Sequence, residues 1–330
     1  RGGTEPTGTD PNLTLGRLDE HNFLGGEMPL YLDRARQAMQ EKVATPLGLD
    51  ATRAADGILR IAVTQMSHAV KAVTTERGLD AGSFTMVVYG GAGPLHASAI
   101  AREIGIRKVL IPHAPGYFSA YGMLFSDLRY DYVRSVFRHL EGLSFDEIEA
   151  LYQEMEDEGR AAISASQIRP EEIVFERAAD MRYVGQEHAV TVDLPQAYFE
   201  NKDRAGIKNH FDEVHKVRYG TSAPKEPADI VSLRVTVLGR MTKPPRNEVA
   251  SGKAVPEAAA LRAHKPVYFR SAGDFVSTPV YKRELLRRGN VIEGPALIEE
   301  HASTTVVQPG DTVQVDRFGN LQISIGSDRS

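Results

Sequence analysis

The chain has 330 residues, 42% apolar and 25% charged, with a net charge of −5 and neither cysteine nor tryptophan. That length suits two domains, and the balance is that of an ordinary soluble globular protein. It excludes disulfides, a thiolate nucleophile and zinc–sulfur sites, and it argues against nucleic acid or an anionic membrane as a partner.

No apolar stretch approaches the roughly 18 residues of a membrane span, and Arg1–Pro6 lacks the marks of a signal peptide. A cytoplasmic protein is expected. The opening Gly2-Gly3-Thr4-Glu5-Pro6-Thr7 carries no leading strand or helix and reads as cut from something larger. Gly25-Gly26-Glu27-Met28-Pro29 then turns the chain ahead of a helix near Leu32 to Ala44. Ile58, Ile61, Ala62, Met66, Ala69, Val70 and Val73 recur at three- and four-residue steps, which predicts one long amphipathic helix stopped by Gly78.

Phe84 to Tyr89 is a short apolar run ending on Gly90-Gly91, the pattern of an interior strand buried on both faces. Pro94 suits the first turn of a helix that runs to Gly105. Lys108 to Pro112 predicts a second strand, and Tyr117 to Leu124 another helix. This alternation is that of a mostly parallel sheet covered by helices. The acidic stretch Phe145 to Ala165 reads as a solvated helix. Short β-type runs follow at Ala189–Leu194, Ile230–Leu238, Ala296–Glu299, Thr304–Val307 and Leu321–Ile325. Asn247 to Leu261 reads as a surface loop. The expected organisation is an α/β domain over residues 1–138 and an α+β, strand-rich domain over 139–330.

Gly90-Gly91-Ala92-Gly93-Pro94 is the first candidate site. Glycines between a strand and a helix let backbone approach a ligand, and the helix start offers free N–H groups. It is neither a P-loop nor a dinucleotide fingerprint, and on local pattern alone a tight turn that binds nothing is the better reading. Gly25, Gly26 and Glu27 form a second candidate, with the same plain alternative. Tyr183 to Glu187 reads as a turn. The histidines lie at spacings that define no metal site, Asp180, His188 and His210 included. No nucleophile elbow or zinc-protease motif is present, so no catalytic group can be named from spacing.

Taken in order, these stretches resemble the hydantoinase A / 5-oxoprolinase family. They are Gly2–Thr7, Phe23–Pro29, Tyr89-Gly90-Gly91-Ala92-Gly93-Pro94-Leu95-His96-Ala97, Met181–Gln186, Gly294–Glu299 and Ser303–Val307. The likeness spans nearly the whole chain. It implies a partial actin-like (ribonuclease H-like) ATPase lobe followed by the α+β domain, with Gly90 to Pro94 as the turn that packs on adenosine. It also implies ATP and Mg as cofactors, their phosphate and metal ligands lying outside this chain.

The partners implied are the N-terminal half of the ATPase domain, a hydantoinase B-type subunit or fused domain, and a small-molecule substrate. The expected activity is activation of a cyclic amide or imide carbonyl by phosphorylation, within a larger assembly and not by this chain alone. The alternatives are a subunit of an acetone- or acetophenone-type carboxylase, and a non-catalytic assembly module.

Overall fold

Local signals start and stop the helices. Asp50 caps the helix Ala51–Val73 by accepting from the Arg53 amide at 2.8 Å, and Ser144 and Asp203 cap the helices Phe145–Ala165 and Arg204–Tyr219 in the same way. Gly105 and Gly220 end the helices Gly93–Ile104 and Arg204–Tyr219 in the left-handed conformation. The helices are α1 (Thr9–Thr14), α2 (Leu32–Met39), α3 (Thr45–Leu47), α4 (Ala51–Val73), α5 (Gly93–Ile104), α6 (Phe118–Met123), α7 (Phe145–Ala165), α8 (Ala197–Glu200) and α9 (Arg204–Tyr219). The strands are β1 (Thr85–Val87), β2 (Lys108–Ile111), β3 (Leu128–His139), β4 (Glu172–Tyr183), β5 (Val190–Asp193), β6 (Ala228–Arg240), β7 (Leu261–Phe269), β8 (Asp274–Lys282), β9 (Val291–Glu293), β10 (Ala296–Glu300), β11 (Ser303–Val307), β12 (Thr312–Val315) and β13 (Leu321–Ser324). The computed structural model describes residue 3 and residues 5–326; Gly2 and Thr4 of the opening motif lie outside the described residues.

The chain folds into two units, one from residues 1–122 with 245–330 and the other from residues 123–244. This differs from the expected division at 138/139. The reason is sheet pairing: β13, from the far end of the chain, lies between β2 and β12 in a five-stranded sheet ordered β1-β2-β13-β12-β9. β1 and β2 are parallel and α5 connects them, but the other three pairings of this sheet are antiparallel, so it is not the mostly parallel sheet that the alternation of helices and strands suggests. A second sheet of the same unit has the order β11-β10-β8-β7.

β1 is not the interior strand its apolar composition suggests. It is an edge strand, hydrogen-bonded to β2 on one side, and Val87 and Tyr89 are about half exposed. The long helix α4 forms, but its buried positions are Ala54, Ala55, Leu59, Val63 and Ser67. Ile61 and Val73, on the face expected to be buried, are exposed.

The second unit is a four-stranded antiparallel sheet, β3-β6-β4-β5, packed against α7 and α9. β3 and β4 are strands that the short apolar runs did not reveal. α7 is not wholly solvated. It buries Ile148, Tyr152, Met155 and Ile163, while Glu149 and Glu156 grip the buried guanidinium of Arg177 at 2.7 and 2.6 Å. Tyr183 ends β4 with its hydroxyl donated to buried Asp212 at 2.6 Å, so the Tyr183–Glu187 turn is anchored in this core.

Gly159 lets α7 settle on β6. A Cβ added there stands 2.3 Å from Val237 Cγ2. Gly159→Ala is therefore expected to destabilise the protein by about 1–3 kcal/mol, the clash outweighing the roughly 1 kcal/mol helix preference for alanine. Urea unfolding of the single variant, and of Gly159→Ala with Val237→Ala, checks this: the second substitution should restore part of the loss.

Candidate functional site

The carboxyl ends of neighbouring parallel strands leave their loops on one side of a sheet, the usual place for ligands in α/β folds. Here the loop after β1 is Gly90 to Ala92, and the loop after β2 contains Pro115-Gly116-Tyr117. One hydrogen bond, Gly90 N–H to Pro115 O at 2.8 Å, joins the two loops. Gly90 has φ +89° and no atom within 4 Å of where a Cβ would stand, so the turn needs glycine for conformation and stays open on that side. Gly93 opens α5 and Pro94 fills its first turn, as the sequence predicts. Tyr89, Phe118 and Tyr121 form an aromatic shelf beside the turn, with Tyr89 and Phe118 ring centroids 5.2 Å apart and Phe118 and Tyr121 6.4 Å apart. Tyr89 and Tyr121 are exposed.

Gly91 serves a different purpose. Its φ is not positive, and a Cβ there would sit 3.0 Å from the carbonyl oxygen of Ala302. Ala302 and His301 form the tip of the hairpin between β10 and β11, where Glu300 pairs with Ser303. Ser303 Oγ donates to Gly91 O at 3.1 Å. A Cβ on Gly116 would meet Ala302 Cβ at 2.7 Å. The tip thus packs against both loops.

The same tip reaches the second candidate. Leu24, Gly25 and Gly26 have φ of 50°, 63° and 93°, a strained turn that includes a non-glycine residue. A Cβ on Gly25 would lie 2.7 Å from His301 Cδ2, and His301 Nε2 stands 3.1 Å from Glu27 Oε1. On its other side His301 Nδ1 is 2.6 Å from the Tyr117 hydroxyl. The two glycine motifs therefore meet adjoining residues of one hairpin. Sequence reasoning missed His301 and Tyr117. The available signals were a two-residue turn between apolar runs and a Pro-Gly-Tyr turn following the second strand.

The charged groups behind the tip are paired. Glu299 takes Arg262, Lys265 and Asn22. Burial pushes the Glu300 carboxyl up to about 7, opposed by Arg283 at 3.5 Å. Arg283 is itself held by the carbonyl oxygens of Ile111, Pro112 and Gly319. His96, in the first turns of α5, is pushed down to about 4 by burial and then by the Arg17 charge.

Among the described residues no three His, Cys, Asp or Glu side chains stand together as a metal group. Asp180 is occupied by Thr191, Ser232 and Arg234, while His210 stacks on Tyr198. Two surface grooves, of about 460 and 440 Å³, are not lined by any residue of the glycine turn.

Two outcomes are expected. Gly91→Val should lower the thermal midpoint with no nucleotide present, because the side chain meets the Ala302 backbone; the cost is about 1–3 kcal/mol, read by calorimetry. His96 stays neutral in the fold down to about pH 4 while its unfolded form titrates near 6.5. Its contribution is present above pH 6.5 and is lost as pH falls from there towards 4, by roughly 3 kcal/mol. Urea titrations of wild type and His96→Gln across that range should diverge by this amount, wild type being the more pH-sensitive.

The hydantoinase/oxoprolinase family model matches residues 1–132, and the hydantoinase/oxoprolinase C-terminal domain model matches residues 141–324. Caprolactamase subunit alpha of Pseudomonas jessenii is 32% identical over 99% of this chain and 47% of its own length. The crystal structure of that ATP-dependent caprolactamase superposes with a TM-score of 0.72, covering 99% of this chain and 48% of that one. Acetophenone carboxylase gamma subunit of Aromatoleum aromaticum is 31% identical over 96% of this chain and 44% of its own length. A nucleotide-free acetone carboxylase structure, 23% identical, shares the fold with a TM-score of 0.86 over 97% of this chain and 46% of its own. The chain thus spans about half the length of these relatives. It belongs to the hydantoinase/oxoprolinase family.

Proposed function

We propose that this chain supplies one wall of an ATP site in a cytoplasmic enzyme that activates the carbonyl of a cyclic amide or imide. The observation that carries the reading is the open turn Gly90–Pro94, which sits at the carboxyl end of β1, opens α5 and stands beside the aromatic shelf. These residues fit the adenosine part of a nucleotide. Gly90 leaves room for close backbone approach, and Tyr89 and Phe118 offer faces for a base. Gly25, Gly26 and Glu27 border the same site through His301.

ATP with Mg would supply the phosphoryl group that makes a resonance-stabilised carbonyl carbon open to attack by water. Phosphoryl transfer depends on positioning and charge neutralisation, so the phosphate and Mg ligands are assigned to residues outside this chain. The open edge of β1 suits pairing with a strand of the N-terminal half of the ATPase domain. A B-type subunit or fused domain would complete the reaction. The isolated chain is then inactive. A second reading, ATP-dependent ketone carboxylation, is favoured by the likeness to the acetophenone carboxylase subunit over nearly all of this chain.

The test is calorimetric titration of ATP and Mg into the complete assembly and its Tyr89→Ala variant. Losing one stacking face should weaken affinity by about tenfold or more, with the thermal midpoint unchanged, since Tyr89 is half exposed. Phosphate release by the isolated 330-residue chain should stay at background. Equal affinity in a folded Tyr89→Ala protein would remove the shelf from the site, and steady turnover by the isolated chain would show that the second wall is not needed.

A further inference from the structure

We propose that His301 is a positioning residue for the nucleotide: its imidazole holds the Tyr117 loop, and through Tyr117 it sets the place of the aromatic shelf. The proposal rests on the reading of that shelf as the face for the base.

The shelf needs support from outside its own helix. Phe118 and Tyr121 lie on α6, a helix of six residues with none buried. A helix this short does not hold itself in water, and no α6 side chain is sunk in the core. The loop before it is fixed as far as Gly116: Pro115 is buried, its carbonyl accepts the Gly90 N–H, and Gly116 packs on Ala302. Tyr117 comes next, and Phe118 follows it. The Tyr117 side chain is half exposed, and its hydroxyl lies 2.6 Å from His301 Nδ1. That bond ties the chain at the point where the shelf begins.

His301 is itself held on several sides. Its backbone belongs to the hairpin tip, where Ala302 packs between Gly91 and Gly116. Its Nε2 stands 3.1 Å from Glu27 Oε1, and a Cβ on Gly25 would lie 2.7 Å from Cδ2, so the ring rests on bare backbone. A carboxylate only accepts, so Nε2 carries the hydrogen; Nδ1 is then the lone-pair nitrogen and accepts the Tyr117 O–H. The two rings stack with centroids 6.1 Å apart and planes at 28°. Glu27 thus orients the imidazole, and the imidazole orients the tyrosine. Leu24 and Ala114, two of the five non-glycine residues with positive φ among the described residues, lie in the turns that bring Glu27 and Tyr117 to this ring. Strain gathered at two turns that meet one imidazole marks a functional constraint.

A shelf fixed before the ligand arrives loses little freedom when a base stacks on it. Without the imidazole, Tyr117 keeps its ring but loses its acceptor, and binding must then order the start of α6. The loss falls on the base end of the nucleotide. It does not fall on the phosphates, whose ligands are assigned outside this chain.

The experiment titrates the complete assembly calorimetrically with ATP and Mg, and with tripolyphosphate and Mg, a probe that lacks the base and the ribose. His301→Ala and Tyr117→Phe are each expected to weaken ATP binding by about fivefold to tenfold, and to leave tripolyphosphate within about twofold. The double variant should be no weaker than either single one, because both changes break the same tie. His301→Gln carries an amide that can donate to Glu27 and accept from Tyr117, so it should bind ATP within about twofold of wild type. General damage to the cleft would instead weaken both ligands alike. That result, or a His301→Gln protein as weak as His301→Ala, overturns the positioning role. So does wild-type ATP affinity in His301→Ala when Tyr89→Ala is weakened, and in each of these cases the nucleotide reading stands. Unchanged affinity in Tyr89→Ala as well removes the shelf from the site, and the proposal falls with that reading.

Discussion

The whole arrangement depends on one contact between small residues. Ala302, at the tip of the β10–β11 hairpin, lies where Gly91 and Gly116 expose bare backbone; Gly116 has no room for a Cβ, and one on Gly91 would stand only 3.0 Å from the Ala302 carbonyl oxygen. Backbone can approach backbone this closely only where side chains are absent, so the spacing of the two loops is set by the hairpin between them. Ser303 completes the contact by satisfying the Gly91 carbonyl. Everything else at the rim is measured from that tip, including the seat of His301 over Gly25.

The glycines of one turn therefore divide the labour. Gly90 supplies a conformation, Gly91 accommodates the hairpin, and Gly93 starts the helix where an added Cβ would stand 3.0 Å from Val88 Cγ1. Only Gly90 faces open space. A glycine-rich motif is often read as a ligand cradle throughout, but here two of its members are spent on internal packing. In the proposed site, the surface left for a ligand is that of Gly90 and the aromatic rings beside it.

What was legible in the sequence was local. The strand-to-helix turn, the proline in the first turn of α5, the short strands β5, β10, β11 and β13 and the middle of the long strand β6 all follow from residues within a few positions of one another. The misreadings concern what covers a face. The apolar run ending at Tyr89 looks interior, yet β1 is an edge, because a run of apolar residues says nothing of which strands flank it. The stripe on α4 is amphipathic as expected, but contacts with α1 and α5 select a face centred on Leu59 and Val63. β3 alternates charged with half-buried residues: Arg129 and Asp131 pair with each other and with Thr236 on the neighbouring strand, so the apolar signal of a strand is diluted. The contact between Glu27 and His301 is the extreme case. Glu27 and His301 are 274 positions apart, and no spacing rule links residues across such a distance.

The insertion of β13 between β2 and β12 has a consequence for the order in which the molecule forms. Residues 123–244 make a continuous unit with its own core, and that unit has all its strands once Arg240 is synthesised. The unit that holds the glycine turn cannot close its five-stranded sheet until Leu321–Ser324 has emerged, more than two hundred positions after β2. Such pairing carries a large loop-closure cost and slows folding. During synthesis the middle of the chain is then free to fold first, while β1, β2 and α5 wait with apolar surface uncovered. A ribosome-bound chain halted near residue 310 would therefore hold a finished middle and an unfinished site, and it is at that stage that a chaperone would have something to bind.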